Sequence, residues 1–262
     1  MPRSDASAQR RLGLPPAGWT ACGVVAGAAG LELAPRLGWV DAYSLVPLSE
    51  MAGRAAELLA EGAFWTEALL PSLIGIAASF ALAVVGGVLA GLALWRFPTA
   101  RHAVDPWLTT YYAIPTFALY PLLVVVFGAG TLPIVLLGAL FAVVAMISAT
   151  LDGLDATPRS TLRLAQVLEL SGWQRAVKNL LPGALPQLGV GVRLALSYSL
   201  IGVLASEFVL STRGLGHFIS DNYNDFAIDD MYAGVLIVFA LALAVNVGLG
   251  SLISRRSKRM AS

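Results

Sequence analysis

The chain has 262 residues, 57% of them hydrophobic and only 13% charged, whereas a soluble globular domain has about 45–50% apolar and about 25% charged residues. Together with a mean hydropathy of +0.75, this excludes an ordinary soluble protein, and 17 Lys+Arg against 16 Asp+Glu leave no excess positive charge for nucleic acid. The single cysteine, Cys22, closes no intrachain disulfide, and two histidines give almost no material for a metal site.

A helix needs about 20 mostly apolar residues to cross a hydrocarbon core of about 30 Å, so long stretches without Asp, Glu, Lys or Arg mark candidate spans. After a short polar tail, residues 1–16, the stretch 17–34 is apolar, built largely of Ala and Gly, with Glu32 near its end. It reads as a first span or as the apolar region of a signal peptide; no clear small-residue cleavage site follows, which favours a retained span. Residues 35–68 are too polar to span. Within them Ser49 stands as an N-cap before Met51, Ala55, Leu58 and Leu59 at helical spacing, which predicts an external surface helix packed on the bundle. The second span is 69–95, where Ala83, Gly87 and Gly91 form a small-residue stripe that lets helices approach closely.

The charge-free run from Pro106 to Leu151 is long enough for two spans, 106–127 and 131–151, with Gly128, Gly130 and Pro133 supplying the turn between them. Pro115 inside the first of these frees a backbone carbonyl. Thr109, Thr110, Tyr111, Tyr112 and Thr116 around it line a polar path, or the two tyrosines act as interfacial anchors. The stretch 152–186 is a long polar loop. Thr157-Pro158 starts a helix there, Leu164, Leu168 and Ser171 give it an apolar stripe, Ser171-Gly172 interrupts it, and a second amphipathic turn around Trp173 ends at Pro182 and Pro186. The fifth span, 187–210, keeps Arg193 and Glu207 near its ends, where long side chains reach the headgroups. Glu207 and Arg213 bracket its outer end as an interfacial ion pair, favoured here, or as a gate or a binding-protein contact. The sixth span is 231–254, with Asn246 as an interhelical hydrogen bonder, followed by a basic tail, 255–262.

With the N-terminus in the cytoplasm, that side receives every one of the 17 basic residues except Arg36, Arg54 and Arg213. This positive-inside bias predicts that both termini are cytoplasmic. No ionisable residue is placed at mid-membrane, so the usual markers of proton- or sodium-coupled transport are missing.

Four motifs carry a resemblance that covers nearly the whole chain. They are Tyr112-Ala113-Ile114-Pro115; the loop from Trp173-Gln174-Arg175 to Leu181-Pro182-Gly183-Ala184-Leu185-Pro186; Gly191-Val192-Arg193-Leu194-Ala195-Leu196; and Ala205-Ser206-Glu207-Phe208 with Arg213-Gly214-Leu215-Gly216-His217-Phe218-Ile219. In this order the chain resembles the permease subunits of bacterial ATP-binding-cassette importers of the nitrate, sulfonate and taurine type. The resemblance implies an all-α integral membrane protein of six transmembrane helices, the type I importer permease fold with a cytoplasmic coupling helix, in the bacterial cytoplasmic membrane.

The family's coupling signature, Glu-Ala-Ala, three residues, then Gly, is degraded here. Arg163 stands at the glutamate position, Leu164 and Ala165 at the alanines and Glu169 at the glycine, and only Ala165 and the later Pro182 match. The resemblance assigns ATPase coupling to Arg163, Leu164, Ala165, Leu168, Glu169, Ser171, Gly172, Trp173 and Pro182, and a translocation path to Tyr112, Pro115 and Thr116. Either the helix still docks through its apolar face with Gly172 as a shifted turn, or this chain is the weaker half of a heterodimer, the account favoured here.

No Gly-x-x-x-x-Gly-Lys-Ser/Thr occurs, so no phosphate-cradling loop is present. Under the resemblance ATP and Mg are bound by separate ATPase subunits and this chain carries no cofactor. The other implied partners are a second permease subunit, an extracytoplasmic substrate-binding protein delivering a small organic anion such as a sulfonate, and membrane lipid. An intramembrane hydrolase lacks its parts: there is no Gly-x-Ser-x-Gly, no His-Glu-x-x-His, and no histidine inside a span beside a serine. An independent secondary transporter, the alternative, predicts two related halves, and no convincing internal repeat is found.

Overall fold

The computed structural model describes residues 16–41, 44–157 and 181–261. Among them all regular structure is helical: two short 3-10 turns and nine longer helices, α1 Pro16–Arg36, α2 Leu48–Ala60, α3 Gly62–Arg96, α4 Pro98–Thr110, α5 Tyr120–Phe127, α6 Thr131–Asp155, α7 Leu181–Leu210, α8 Leu215–Asn224 and α9 Ile228–Ala261. Four helical runs are long and apolar enough to cross a membrane: Gly62–Arg96, Thr131–Asp155, Gly183–Asn224 and Ile228–Ser251. Pro98–Ala113 with Thr116–Phe127 makes a fifth when counted as one broken span. The 21-residue α1 lies largely exposed beside them, tied to α2. This is a multi-pass membrane architecture compatible with six spans.

The centre is α6, which packs between α3 and α7. Small residues set these contacts. Ser79, Ala83, Gly87 and Gly91 recur every fourth residue on α3, so they share one face. A Cβ on Gly87 would overlap Met146, and one on Gly91 would overlap Thr150. The α6–α7 crossing is as close: Gly202 lies against the Cα of Gly138, and Gly191 against Ala149. Without side chains in the way, the backbones approach closely and dispersion contacts multiply, which is what drives helix association in lipid. The seam is filled by Met146, Leu154, Leu188 and Ala195 at one end and by Ile134, Leu200, Val203 and Leu204 at the other.

Several elements differ from their expected form. The helix α2 starts at Leu48 with Pro47 at its N-cap, so Ser49 lies inside the first turn. The cap comes from another helix. Glu32 of α1 accepts the Ser49 N–H at 2.9 Å and the Ser49 hydroxyl at 2.9 Å, and pairs with Arg36 at 2.8 Å. Met51, Ala55 and Leu58 are buried as the spacing predicts, and α2 lies on α9, where Arg54 pairs with Asp230. The hydrogen bond to Asp230, then that to Glu57, raises the Arg54 pKa, so the guanidinium stays charged. Later in the chain α7 runs Leu181–Leu210, longer than the expected 187–210, and contains Pro182 and Pro186; the end of the amphipathic turn around Trp173 lies outside the described residues. The last helix runs 34 residues, Ile228–Ala261, past the expected 231–254 at both ends.

Candidate functional site

The stretch 106–127 is not one straight span. After α4 the chain makes a 3-10 turn, Tyr111–Ala113, then extends at Ile114 (φ −80°, ψ 125°) and resumes with a second 3-10 turn, Thr116–Leu119. The two limbs meet at 98°. Proline explains the break, because its ring removes one backbone donor and pushes the preceding residue out of the helical region. The Tyr111 hydroxyl donates to the Leu140 carbonyl at 3.0 Å and the Tyr120 hydroxyl to the Leu210 carbonyl at 3.1 Å, pinning the broken limbs to α6 and α7. Phe117 rests on Phe141 with ring centroids 4.9 Å apart.

This break brings together some of the residues expected to line a path and disperses others. Tyr112 is half exposed and its ring lies 5.6 Å from that of Tyr198 on α7, with Tyr111 edge-on at 5.8 Å. Pro115 is exposed beside them. Thr116, in contrast, is buried, and its hydroxyl reaches back to the Ile114 carbonyl at 3.4 Å. Thr109 and Thr110 are exposed, their hydroxyls both donating to the Pro106 carbonyl of their own helix, at 2.9 and 2.8 Å. Three phenol rings meet at the break, and Tyr198 is one of them although no spacing in the sequence links it to Tyr112.

A second node lies at the far end of α7. Glu207 is only 3% exposed, not directed to the membrane surface, and it makes no pair with Arg213. Its carboxylate accepts the Ser72 hydroxyl at 2.5 Å and the Gly216 N–H at 3.1 Å, while the Ser72 oxygen accepts the Leu215 N–H at 2.7 Å. Three elements, α3, α7 and the start of α8, meet there. Gly214 has φ +107°, and a Cβ on it would overlap the Glu207 carboxyl group; one on Gly216 would overlap the Leu204 carbonyl. The Gly-Leu-Gly spacing is thus what allows the chain to pass over a buried acid.

At the opposite end Arg101 of α4 makes a two-point pair with Asp155 of α6, at 3.0 and 2.7 Å. Thr157 is buried, and its hydroxyl bonds back to the Gly153 carbonyl at 3.2 Å. Arg163, Leu164, Ala165, Leu168, Glu169, Ser171, Gly172 and Trp173 lie outside the described residues; Pro182 is placed only by its backbone, in the first turn of α7. Asn246 of α9 accepts the Ser197 hydroxyl at 3.0 Å, joining α7 to α9 as an interhelical bond. His102 and His217 stand on α4 and α8, and no group of three or more His, Cys, Asp or Glu able to hold a metal occurs among the described residues.

Residues 83–261, which contain the break, Glu207 with Gly216, and α9, match the family described as binding-protein-dependent transport system inner membrane component. The chain belongs to that family. Among its permease relatives is the taurine transport system permease protein TauC of Escherichia coli, 34% identical over 70% of this chain and 67% of TauC. The nitrate import permease protein NrtB of Leptolyngbya laminosa is 26% identical over 74% of this chain and 69% of its own length. The putative aliphatic sulfonates permease protein SsuC of Bacillus subtilis is 28% identical over 70% and 64%. The chain is an ABC importer permease of the nitrate, sulfonate and taurine type, and permeases of this family are not themselves enzymes.

Proposed function

We propose that this permease forms the translocation path of an ATP-driven importer for a small organic anion such as a sulfonate. The family match over 83–261 carries the reading. Three kinds of support accompany it. Relatives are named for taurine, aliphatic sulfonates, nitrate and bicarbonate, all small and anionic or zwitterionic solutes. The break at Ile114-Pro115 presents phenols and no fixed charge, which suits a path that passes a solute already selected by an extracytoplasmic binding protein. The missing phosphate-binding loop requires ATP and Mg to be held by separate ATPase subunits, which dock on the cytoplasmic loop around residues 163–173. Both termini lie in the cytoplasm, and the degraded signature at Arg163 and Glu169 points to a second, different permease subunit.

A secondary transporter finds one favourable observation, the buried carboxylate of Glu207. That group is engaged with Ser72 and the Gly216 amide, which hold the fold together, so it is not free to cycle with a transported ion. The experiment is affinity purification of the tagged chain in gentle detergent, with identification of its companions. An ATPase with a second, related permease is the expected result. An ATPase with this chain as the sole permease rejects the heterodimer, and recovery of the chain alone, unchanged by Glu169→Gly, overturns the importer reading.

A further inference from the structure

We propose that Phe226, at the turn between α8 and α9, is a docking knob that fits an apolar pocket rimmed by Lys or Arg on the extracytoplasmic binding protein. A binding protein exists here only under the importer reading, on which this contact rests. Helix α8 ends in a Schellman motif: the Ala227 N–H donates to the Asn222 carbonyl at 2.9 Å and the Phe226 N–H to the Tyr223 carbonyl at 3.3 Å. That pattern holds Phe226 in the left-handed region, φ +59°, and no other non-glycine among the described residues has positive φ. Glycine is the usual occupant, because an L side chain there brings its Cβ against the following carbonyl oxygen. Asn or Asp offset the strain by local hydrogen bonds, which a phenyl ring does not form.

The fold gains nothing from the ring. Phe226 is 84% exposed and stacks on no other aromatic among the described residues, and Tyr223, three residues earlier, is 59% exposed. A strained backbone that presents an unpacked aromatic serves a contact outside the chain, and large aromatics are the common anchors of protein interfaces. Charge selects the partner. Asp221, Asp225 and Asp229 are exposed and form no ion pair among the described residues, while Asp230 is already taken by Arg54 of α2. The candidate span Ile228–Ser251 begins two residues after Phe226, a level at which aromatics also anchor in lipid headgroups. Four aspartates between 221 and 230 oppose that use, since anionic lipid attracts basic segments. A protein surface with Lys or Arg around an apolar pocket complements both the ring and the acids. With the basic tail of α9 in the cytoplasm, the turn at the other end of α9 faces outward, where such a partner arrives.

The test sets the photoreactive p-benzoylphenylalanine in place of Phe226 in the full chain, in cells that express the importer with its binding protein, and identifies the adduct by mass spectrometry. A solute-binding protein is expected, joined through a segment that carries Lys or Arg. An adduct to lipid only, an adduct to a second permease, or no adduct overturns the proposal. The same probe in place of Tyr223 then reads the part played by the ring. Phe226→Gly should lower the adduct yield about ten-fold, as loss of an interface anchor does, and Phe226→Tyr should keep most of it; an unchanged yield in Phe226→Gly rejects the knob. Because glycine relieves the backbone, Phe226→Gly should unfold in detergent at the parent's midpoint or above it. A lower midpoint would make the ring part of the fold and overturn the proposal. Co-purification of the ATPase checks the importer reading separately, so an ATPase retained without any adduct at Phe226 rejects this contact alone.

Discussion

Glu207 shows how one side chain can be misread from sequence and still be informative. A carboxylate three residues from the end of a span, followed by Arg213, has the spacing of an interfacial ion pair. The structure instead turns it inward, because α8 starts with two backbone N–H groups that have no carbonyl partner, and Ser72 and Glu207 supply the acceptors. The signal in the sequence was the Gly-Leu-Gly spacing, which makes sense only if the backbone passes closely over something bulky. Removing the carboxylate leaves the Gly216 amide and the Ser72 hydroxyl buried without a partner, at about 1–3 kcal/mol. Glu207→Ala is therefore expected to lower the thermal unfolding midpoint in detergent clearly, and Arg213→Ala hardly at all. Equal losses for the two would restore the ion pair. Tyr198 was invisible for a related reason: it meets Tyr112 only because Pro115 bends the chain, and no linear spacing encodes the direction of a bend.

At the scale of helices, the small-residue stripe is the most readable feature of the chain. Ala83, Gly87 and Gly91 lie on one face by simple periodicity, and that face meets α6. What periodicity does not reveal is the partner, which came out as Met146 and Thr150. Substitution separates packing from chance. Gly87→Leu or Gly91→Leu forces the α3–α6 seam apart and should cost about 1–3 kcal/mol. Gly86→Leu, next door and with nothing within 4 Å, should be tolerated. A variant at Gly86 as unstable as those at 87 and 91 would mean that helix propensity, not the seam, decides. Charge-free length made the membrane character plain, yet it missed the form of 106–127, since hydropathy averages over a proline whose effect is angular. The bounds of α7 and α9 were likewise hidden, because a helix continues past the end of its apolar stretch wherever its backbone bonds are still satisfied.

For the whole molecule, the distribution of basic residues makes a directional claim that labelling can check. With Cys22 replaced by Ser, a cysteine at Ser257 should react with a membrane-impermeant maleimide only after the cells are opened, and one at Asn224 in intact spheroplasts. The reverse pattern would invert the topology. The glycine seams also have a mechanical meaning. At the glycines the backbones come close, and the side chains between them are tightly enclosed with little room to change rotamer, so α3, α6 and α7 form a stiff slab and not a stack of independently tilting rods. The limb from Pro98 to Phe127, cut at Pro115 and held by a few side-chain contacts, is the compliant member beside it. A push delivered at the Arg101–Asp155 end would reach the Glu207 node along the slab with little loss, while the limb takes up the strain. The stiffness of this protein is thus written in its smallest residues.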